Sequence, residues 1–279
     1  MLFGYSIIPK DTKEVEKIAK EIKEGGFNYL EISLDYPIPT KNEFLNEVIS
    51  NIKNEGLKFS FHAPWRGIDL ASPWEPLRKG AVKVIENILD IASRLEGMYV
   101  VIHLTTSERL SDAKDEIVNA AIESVKELLD AAKRLGIDFY IENVGKLGHP
   151  DILGHIMDET NAEFCLDIVH AIVDFSKRHK IDLERVDVDD VLETWKNSIG
   201  SNVKCMHIHG YTLDEGRLRI HTGLTYPITK RVAAKYITLF EPQYVTLEVF
   251  HSPNGPASPR FVAKELEEIK GWMKVYKRT

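Results

Sequence analysis

The sequence predicts a single closed (β/α)8 barrel, an α/β fold with its active site at the C-terminal ends of the strands. Three observations carry that expectation. Short β-type runs alternate with helical patterns from one end of the 279 residues to the other, eight such pairs can be counted, and six of the eight strand-like runs end in histidine or carboxylate. Strands spaced by helices argue for a parallel sheet, because parallel neighbours need a crossover and a helix is the usual one. Eight units favour closure over an open sheet, and about 250 residues is the usual size of such a barrel.

The predicted strands are 3–7, 29–34, 59–63, 99–104, 138–144, 163–168, 203–209 and 244–250. Each is a short run of apolar and β-branched residues. The predicted helices are 13–24, 43–54, 76–95, 113–135, 151–159, 188–199, 229–240 and 258–276, where apolar residues recur at helical spacing among charged ones. No low-complexity segment or Gly/Ser-rich linker breaks the rhythm, so one domain over 1–279 is expected. Three longer connections, 65–75, 175–187 and 210–226, each follow a strand and therefore fall on the active-site face. A Pro/Gly-rich stretch, 252–259, follows the last strand and is expected to be stiff.

Composition narrows the function classes. A hydrophobic content of 43% with 28% charged residues fits a soluble globular protein, and the net charge of −7 argues against a duplex-binding surface, which is usually basic. No run approaches the roughly 18 apolar residues of a membrane span, and residues 1–9 lack the pattern of a signal peptide, so no membrane partner and a cytoplasmic location are expected. Cys165 and Cys205 both sit in apolar runs and read as buried thiols rather than a disulfide framework. Oligomeric state is left open, a homo-oligomer included.

Barrel strands covered on both faces should be almost wholly apolar. Here strand three ends Phe61-His62-Ala63-Pro64, strand four Val101-Ile102-His103 and strand five Ile141-Glu142-Asn143. Strand six ends Leu166-Asp167-Ile168-Val169-His170, strand seven His207-Ile208-His209 and strand eight Leu247-Glu248-Val249. Charged groups are costly in a dry interior unless paired or bound to metal. A convergence of this kind therefore calls for a cation or for mutual pairing in a structural hydrogen-bond network, and a divalent cation is the expectation. Glu142, Asp167, one strand-seven histidine and Glu248 form an oxygen-rich set suited to Mn or Mg, while His62 and His103 would add nitrogen and favour Zn or Co. One metal, or two sharing Glu142, are both compatible with these residues. His207 and His209 point the same way on a strand. His209, nearer the mouth, is taken as the ligand with His207 one layer deeper, although the strand alone leaves the choice open.

Through the order of these strand-end residues the chain resembles the xylose-isomerase-like TIM-barrel superfamily, which holds sugar isomerases and epimerases together with the endonuclease IV (AP endonuclease family 2) nucleases. The similarity is densest in His62-Ala63-Pro64-Trp65 through Leu70-Ala71-Ser72-Pro73, in Val101-Ile102-His103, in Glu142-Asn143 and in Leu166-Asp167-Ile168-Val169-His170. What the resemblance implies for the epimerases is one metal on the positions of Glu142, Asp167, His209 and Glu248, with the two glutamates flanking the substrate carbon as acid and base. For the nucleases it implies a second metal on the positions of His62, His103 and Glu142, and a third on His170 with an Asp-x-His pair. The matching segment here is Arg219-Ile220-His221, and a cation cannot ligate a cation. The nuclease pattern also continues with Tyr and an aliphatic residue where this chain has Trp65-Arg66.

Two functions are therefore expected to compete. The first is a metal-dependent isomerase or epimerase of a small polyhydroxylated substrate, phosphorylated or not, with Glu142 and Glu248 exchanging the carbon-bound proton. Its substrate would meet His62, His103, His170, His221 and Trp65, while Arg66 and Arg219 would suit a phosphate or carboxylate. The second is a metal-dependent phosphodiesterase, either an abasic-site nuclease or a hydrolase of a small phosphodiester. A non-catalytic binding barrel has no support in the sequence.

Overall fold

The computed structural model describes residues 1–35, 42–112, 114–214 and 217–277. The chain runs β1 (Leu2–Ile7), α1 (Thr12–Glu24), β2 (Tyr29–Ser33), α2 (Asn42–Asn54), β3 (Lys58–His62), α3 (Glu75–Arg94), β4 (Tyr99–His103), α4 (Lys114–Leu135) and β5 (Asp138–Glu142). It continues through α5 (Pro150–Thr160), β6 (Phe164–Asp167), α6 (Ile168–His179), α7 (Val188–Ile199), β7 (Val203–Ile208), β8 (Gly210–Asp214) and β9 (Arg217–Thr222). The last elements are α8 (Lys230–Phe240), β10 (Tyr244–Leu247), β11 (His251–Ser252), β12 (Gly255–Pro256) and α9 (Pro259–Tyr276).

Strands β1 to β7 and β10 close into a parallel (β/α)8 barrel in the order β1-β10-β7-β6-β5-β4-β3-β2. Closure is made by β1, which pairs with β2 on one side and with β10 on the other in the register Leu2↔Tyr244 to Tyr5↔Leu247. Local chemistry starts the outer helices. Asp11 accepts from the Glu14 N–H at 2.7 Å and caps α1, whose Val15, Ala19 and Ile22 then fall on one buried face. Thr229 and Ser258 cap α8 and α9 in the same way.

Three departures from the sequence expectation concern two connections and the strand ends. Residues 175–187 are not one long loop: α6 starts immediately after Asp167 and runs to His179, because the Asp167 side chain itself caps the helix. Residues 210–226 begin with an antiparallel hairpin, β8 and β9, which with β11 and β12 forms a second small sheet in the order β12-β11-β9-β8. Six of the eight barrel strands are also shorter than expected, β10 among them, so Glu248 follows β10 rather than lying within it. Ala113, where the fourth helix was expected to begin, lies outside the described residues, as do Glu215 and Gly216 of the 210–226 connection.

The barrel interior is layered. Tyr29, Tyr99, Tyr140 and Tyr244 pack with Val101, Cys165 and Cys205 into a cluster of their own, the Tyr99 and Tyr244 ring centres 4.6 Å apart. Towards the C-terminal strand ends the interior turns polar, with Glu31, Ser60, Thr246 and His207 all buried. The strand-end carboxylates and imidazoles come next along the axis.

Candidate metal centre

Glu142 ends β5 and is the hub of the site. Its Oε2 lies 2.7 Å from His103 Nε2 and 3.2 Å from His62 Nε2, while Oε1 is 3.4 Å from His207 Nδ1 and 3.9 Å from His170 Nε2. Strand pairing accounts for the meeting, since β3, β4 and β5 are neighbours and His103 stands level with Glu142. Glu248 is positioned by its own N–H, which donates to Ile208 O at 3.0 Å and extends the strand pairing by one residue. Its Oε2 is 3.5 Å from His207 Nδ1 and 3.6 Å from His221 Nδ1.

Asp167 is held from three directions. Its N–H donates to Asn143 Oδ1 at 2.6 Å, its carbonyl accepts from Asn143 Nδ2 at 2.9 Å, and its Oδ1 accepts from His170 N at 2.8 Å. That leaves Oδ2, which accepts from His209 Nε2 at 2.8 Å. The other nitrogen of His209 is occupied as well, 3.0 Å from Gly210 O and 3.2 Å from the His221 N–H. His207 differs. Both of its ring nitrogens are buried without a hydrogen-bond partner among the described residues, yet both face carboxylates. One donor atom each from Glu142, Asp167, His207 and Glu248 lies within 4.8 Å of the others. Three carboxylates, one imidazole and an orphaned buried nitrogen among them are the donor chemistry of a divalent cation. The geometry groups His207 with the three carboxylates, and His209, the strand-seven ligand expected from the sequence, with His221 and Glu248.

Electrostatics separates the two glutamates. Burial raises the pKa of each carboxyl, but His207 and His103 outweigh it at Glu142 and hold that group well below the usual carboxylate range. At Glu248 burial wins over His207, and the repulsion from Glu142 adds to it, so its pKa is raised. Burial disfavours a charged His62, but contact with Glu142 carries its pKa up to about 9. Burial and the neighbouring His209 push His221 down to about 3, which keeps it neutral.

Above this layer opens a cavity of about 400 Å3 lined by His62, His103, Glu142, His170, His221 and Glu248, with Trp65 and Arg66 at its side. The Arg66 guanidinium stacks 5.1 Å from the Trp65 ring centre. His221 reaches the cavity from the hairpin through an unusual backbone: its φ of 58° is left-handed, opposite a register shift at Gly210 and Tyr211. Gly210 is required there, since a Cβ on it would stand 2.2 Å from Gly223 O. Arg219 is not brought to this cavity. It is exposed on β9 and lines a separate hollow with Thr212, Lys230 and Glu265.

Two contributors were not singled out from sequence. Asn143, quoted only as part of a motif, clamps β5 to β6 at Asp167. Glu31, fully buried in the middle of β2, has its Oε1 3.0 Å from His207 Nε2. Its signal was available, for a carboxylate inside Tyr-Leu-Glu-Ile-Ser breaks the apolar character expected of a strand covered on both faces.

Comparison with known proteins follows from this architecture. A model of the xylose isomerase-like TIM barrel family matches residues 19–274. The chain belongs to that family. Among solved structures, this xylose isomerase-like barrel superposes on a D-tagatose 3-epimerase-like protein with a TM-score of 0.73 at 20% identity, covering 100% of this chain and 99% of the other. It also superposes on the endonuclease IV of Thermus thermophilus with a TM-score of 0.66 at 18% identity, covering 99% and 100%. At those identities the likeness concerns the fold. An uncharacterized protein of Methanocaldococcus jannaschii is 30% identical over 187 residues, 61% of each chain. With a second uncharacterized protein of that organism the match spans 52% of the relative's length.

Proposed function

We propose that this member of the family is a divalent-metal-dependent isomerase or epimerase of a small polyhydroxylated carbonyl compound, with Glu142, Asp167, His207 and Glu248 as the residues that would hold the cation. The observation that carries the reading is the four-residue donor set beneath a cavity of sugar size. A cation bound there supplies Lewis acidity for the charge that develops on a carbonyl oxygen. The chain's own residues do the rest. Glu142, held ionised, removes the proton from the carbon beside the carbonyl, and Glu248, with its raised pKa, returns one from the other side. His170 and His221 offer ring nitrogens to substrate hydroxyls, Trp65 gives a sugar face an aromatic wall, and neutral His221 adds no competing charge. The superposition on a D-tagatose 3-epimerase-like protein agrees with a keto-sugar substrate.

His207 is preferred to His209 as the nitrogen donor because both nitrogens of His209 already have partners, Asp167 among them. Arg66 is the better candidate for a phosphate or carboxylate on the substrate, since Arg219 is exposed on β9 and does not line the cavity.

One observation favours the phosphodiesterase alternative. His62 and His103 both approach Glu142 Oε2, and with it could hold a second cation. Against it stands the segment Arg219-Ile220-His221, which offers only one donor.

Deuterium exchange separates the two. Incubated with Mn2+ and a panel of ketoses and ketose phosphates in deuterium oxide, the protein is expected to wash deuterium into the carbon beside the carbonyl. Glu142→Gln should lower that exchange by about 100-fold or more, the order of a general base. Absence of exchange across the panel, together with metal-dependent nicking of a duplex at an abasic site, would promote the phosphodiesterase.

A further inference from the structure

Glu31 has no place in the proton transfers above, yet the barrel buries it completely. Taking a carboxylate out of water costs several kcal/mol even after relaxation. The surroundings answer that cost on one oxygen in particular. Tyr99 from β4, Ser60 from β3 and Thr246 from β10 bring hydroxyl oxygens to 3.0, 3.3 and 3.3 Å from Oε2. Three other strands of the barrel thus fix the carboxylate in position and leave Oε1 without a hydrogen-bond partner among the described residues, 3.0 Å from His207 Nε2.

We infer that Glu31 is a positioning residue for the metal centre, its hydroxyl-anchored carboxylate turning the His207 ring so that Nδ1 faces Glu142 and Glu248. The inference rests on the cation site proposed above. An imidazole that presents one nitrogen to a cation must carry its proton on the other, and a carboxylate behind the ring selects that tautomer. Here the two faces of the ring are unequal in the required sense. Nε2 meets a carboxylate tied to the barrel wall, and Nδ1 meets the two glutamates, at 3.4 and 3.5 Å, at the base of the cavity. The same carboxylate adds a negative charge one layer below the donor set, out of reach of solvent and substrate.

The test uses the full chain, stripped of metal and titrated with Mn2+ alone by calorimetry and with Co2+ alone by visible absorption. Glu31→Gln is expected to weaken Mn2+ binding by roughly 10–100-fold and to shift the Co2+ ligand-field band. The unfolding midpoint of the metal-free variant should stay close to that of the wild type, because the Gln amide oxygen can keep the hydroxyl donors of Tyr99, Ser60 and Thr246 and His207 still faces Glu142 and Glu248. Glu31→Asp keeps the charge but withdraws it from Nε2, and is likewise expected to bind Mn2+ more weakly. Wild-type affinity in Glu31→Asp would overturn positioning in favour of a bulk charge effect, and wild-type affinity in both variants would dismiss Glu31 altogether. A markedly lower metal-free midpoint with unchanged affinity would make it structural. Glu248→Gln serves as the control: if it binds Mn2+ as wild type does, the cation site itself is wrong, whereas weakened binding there with none in the Glu31 variants sinks only this inference.

Discussion

At the residue scale the site is a set of charges that need each other in the absence of metal. His62 shows this most clearly, since burial alone would lower its pKa while Glu142 raises it from 6.5 to about 9. A histidine with a raised folded value contributes stability that is fully present below its unfolded value and lost as pH rises through the folded one. His207 is raised too, against the cost of burial, by Cys165 and by the carboxylates of Glu248, Glu31 and Glu142. The opposite shifts at His103 and His221 act below pH 6.5, outside this window. Metal-free protein should therefore lose stability between about pH 6.5 and pH 9, and His62→Gln should flatten part of that slope. Thermal melts of chelated protein across the range would check it, and parallel curves for the two proteins would contradict it. The strand-end positions Glu142, Asp167 and Glu248 were legible because polar groups stand out at the ends of apolar runs. The strand alone does not decide between His207 and His209, because two residues of equal side-chain direction differ only in the partners that other strands bring.

At the element scale, connections proved harder to read than strands. The run Cys-Leu-Asp-Ile-Val is apolar on both sides of Asp167 and β-branched just after it, which hides the start of α6 from pattern alone. The β8–β9 hairpin alternates polar residues with leucine, and nothing local says that the small rim sheet will give it a partner in β11. Contacts between helices were equally hidden. Arg78 of α3 is buried and reaches α4, with Nη1 2.8 Å from Glu127 Oε1 and 3.3 Å from Ser124 Oγ, and Nη2 3.1 Å from Glu123 Oε2. Ser124 in turn donates to Leu70 O at 2.6 Å, so the linkage also steadies the connection that follows β3. Arg78→Met should cost about 1.5–3 kcal/mol in urea unfolding, the range of hydrogen bonds to charged groups. Partial burial would raise the pKa of Glu127, but Lys79 and Arg78 outweigh it and lower the value. Stability from a depressed carboxylate is present above its unfolded pKa and lost as pH falls through the folded one, so the gap between the two proteins should narrow in acid.

At the scale of the whole molecule the apolar core and the polar centre are separable. The core runs through strands and helices around the full circle, while the donor groups occupy one end of the barrel. Removing metal with EDTA should therefore abolish activity and leave the far-ultraviolet circular dichroism unchanged, unlike a zinc finger, which unfolds without its ion. Wholesale loss of the helical signal would make the metal structural instead. The eightfold alternation was readable from sequence because each strand and each helix is amphipathic or apolar in its own period.

The seam between β1 and β10 bears on how such a chain is made. Residues 1–7 leave the ribosome long before residues 244–247, and one edge of β1 stays unpaired throughout the interval. Glu248 follows the closing strand directly. A nascent chain that already holds Glu142, Asp167 and His207 thus lacks the fourth donor until its barrel can shut, and on the proposed ligand set, loading with a scarce ion is confined to molecules whose synthesis has passed that strand.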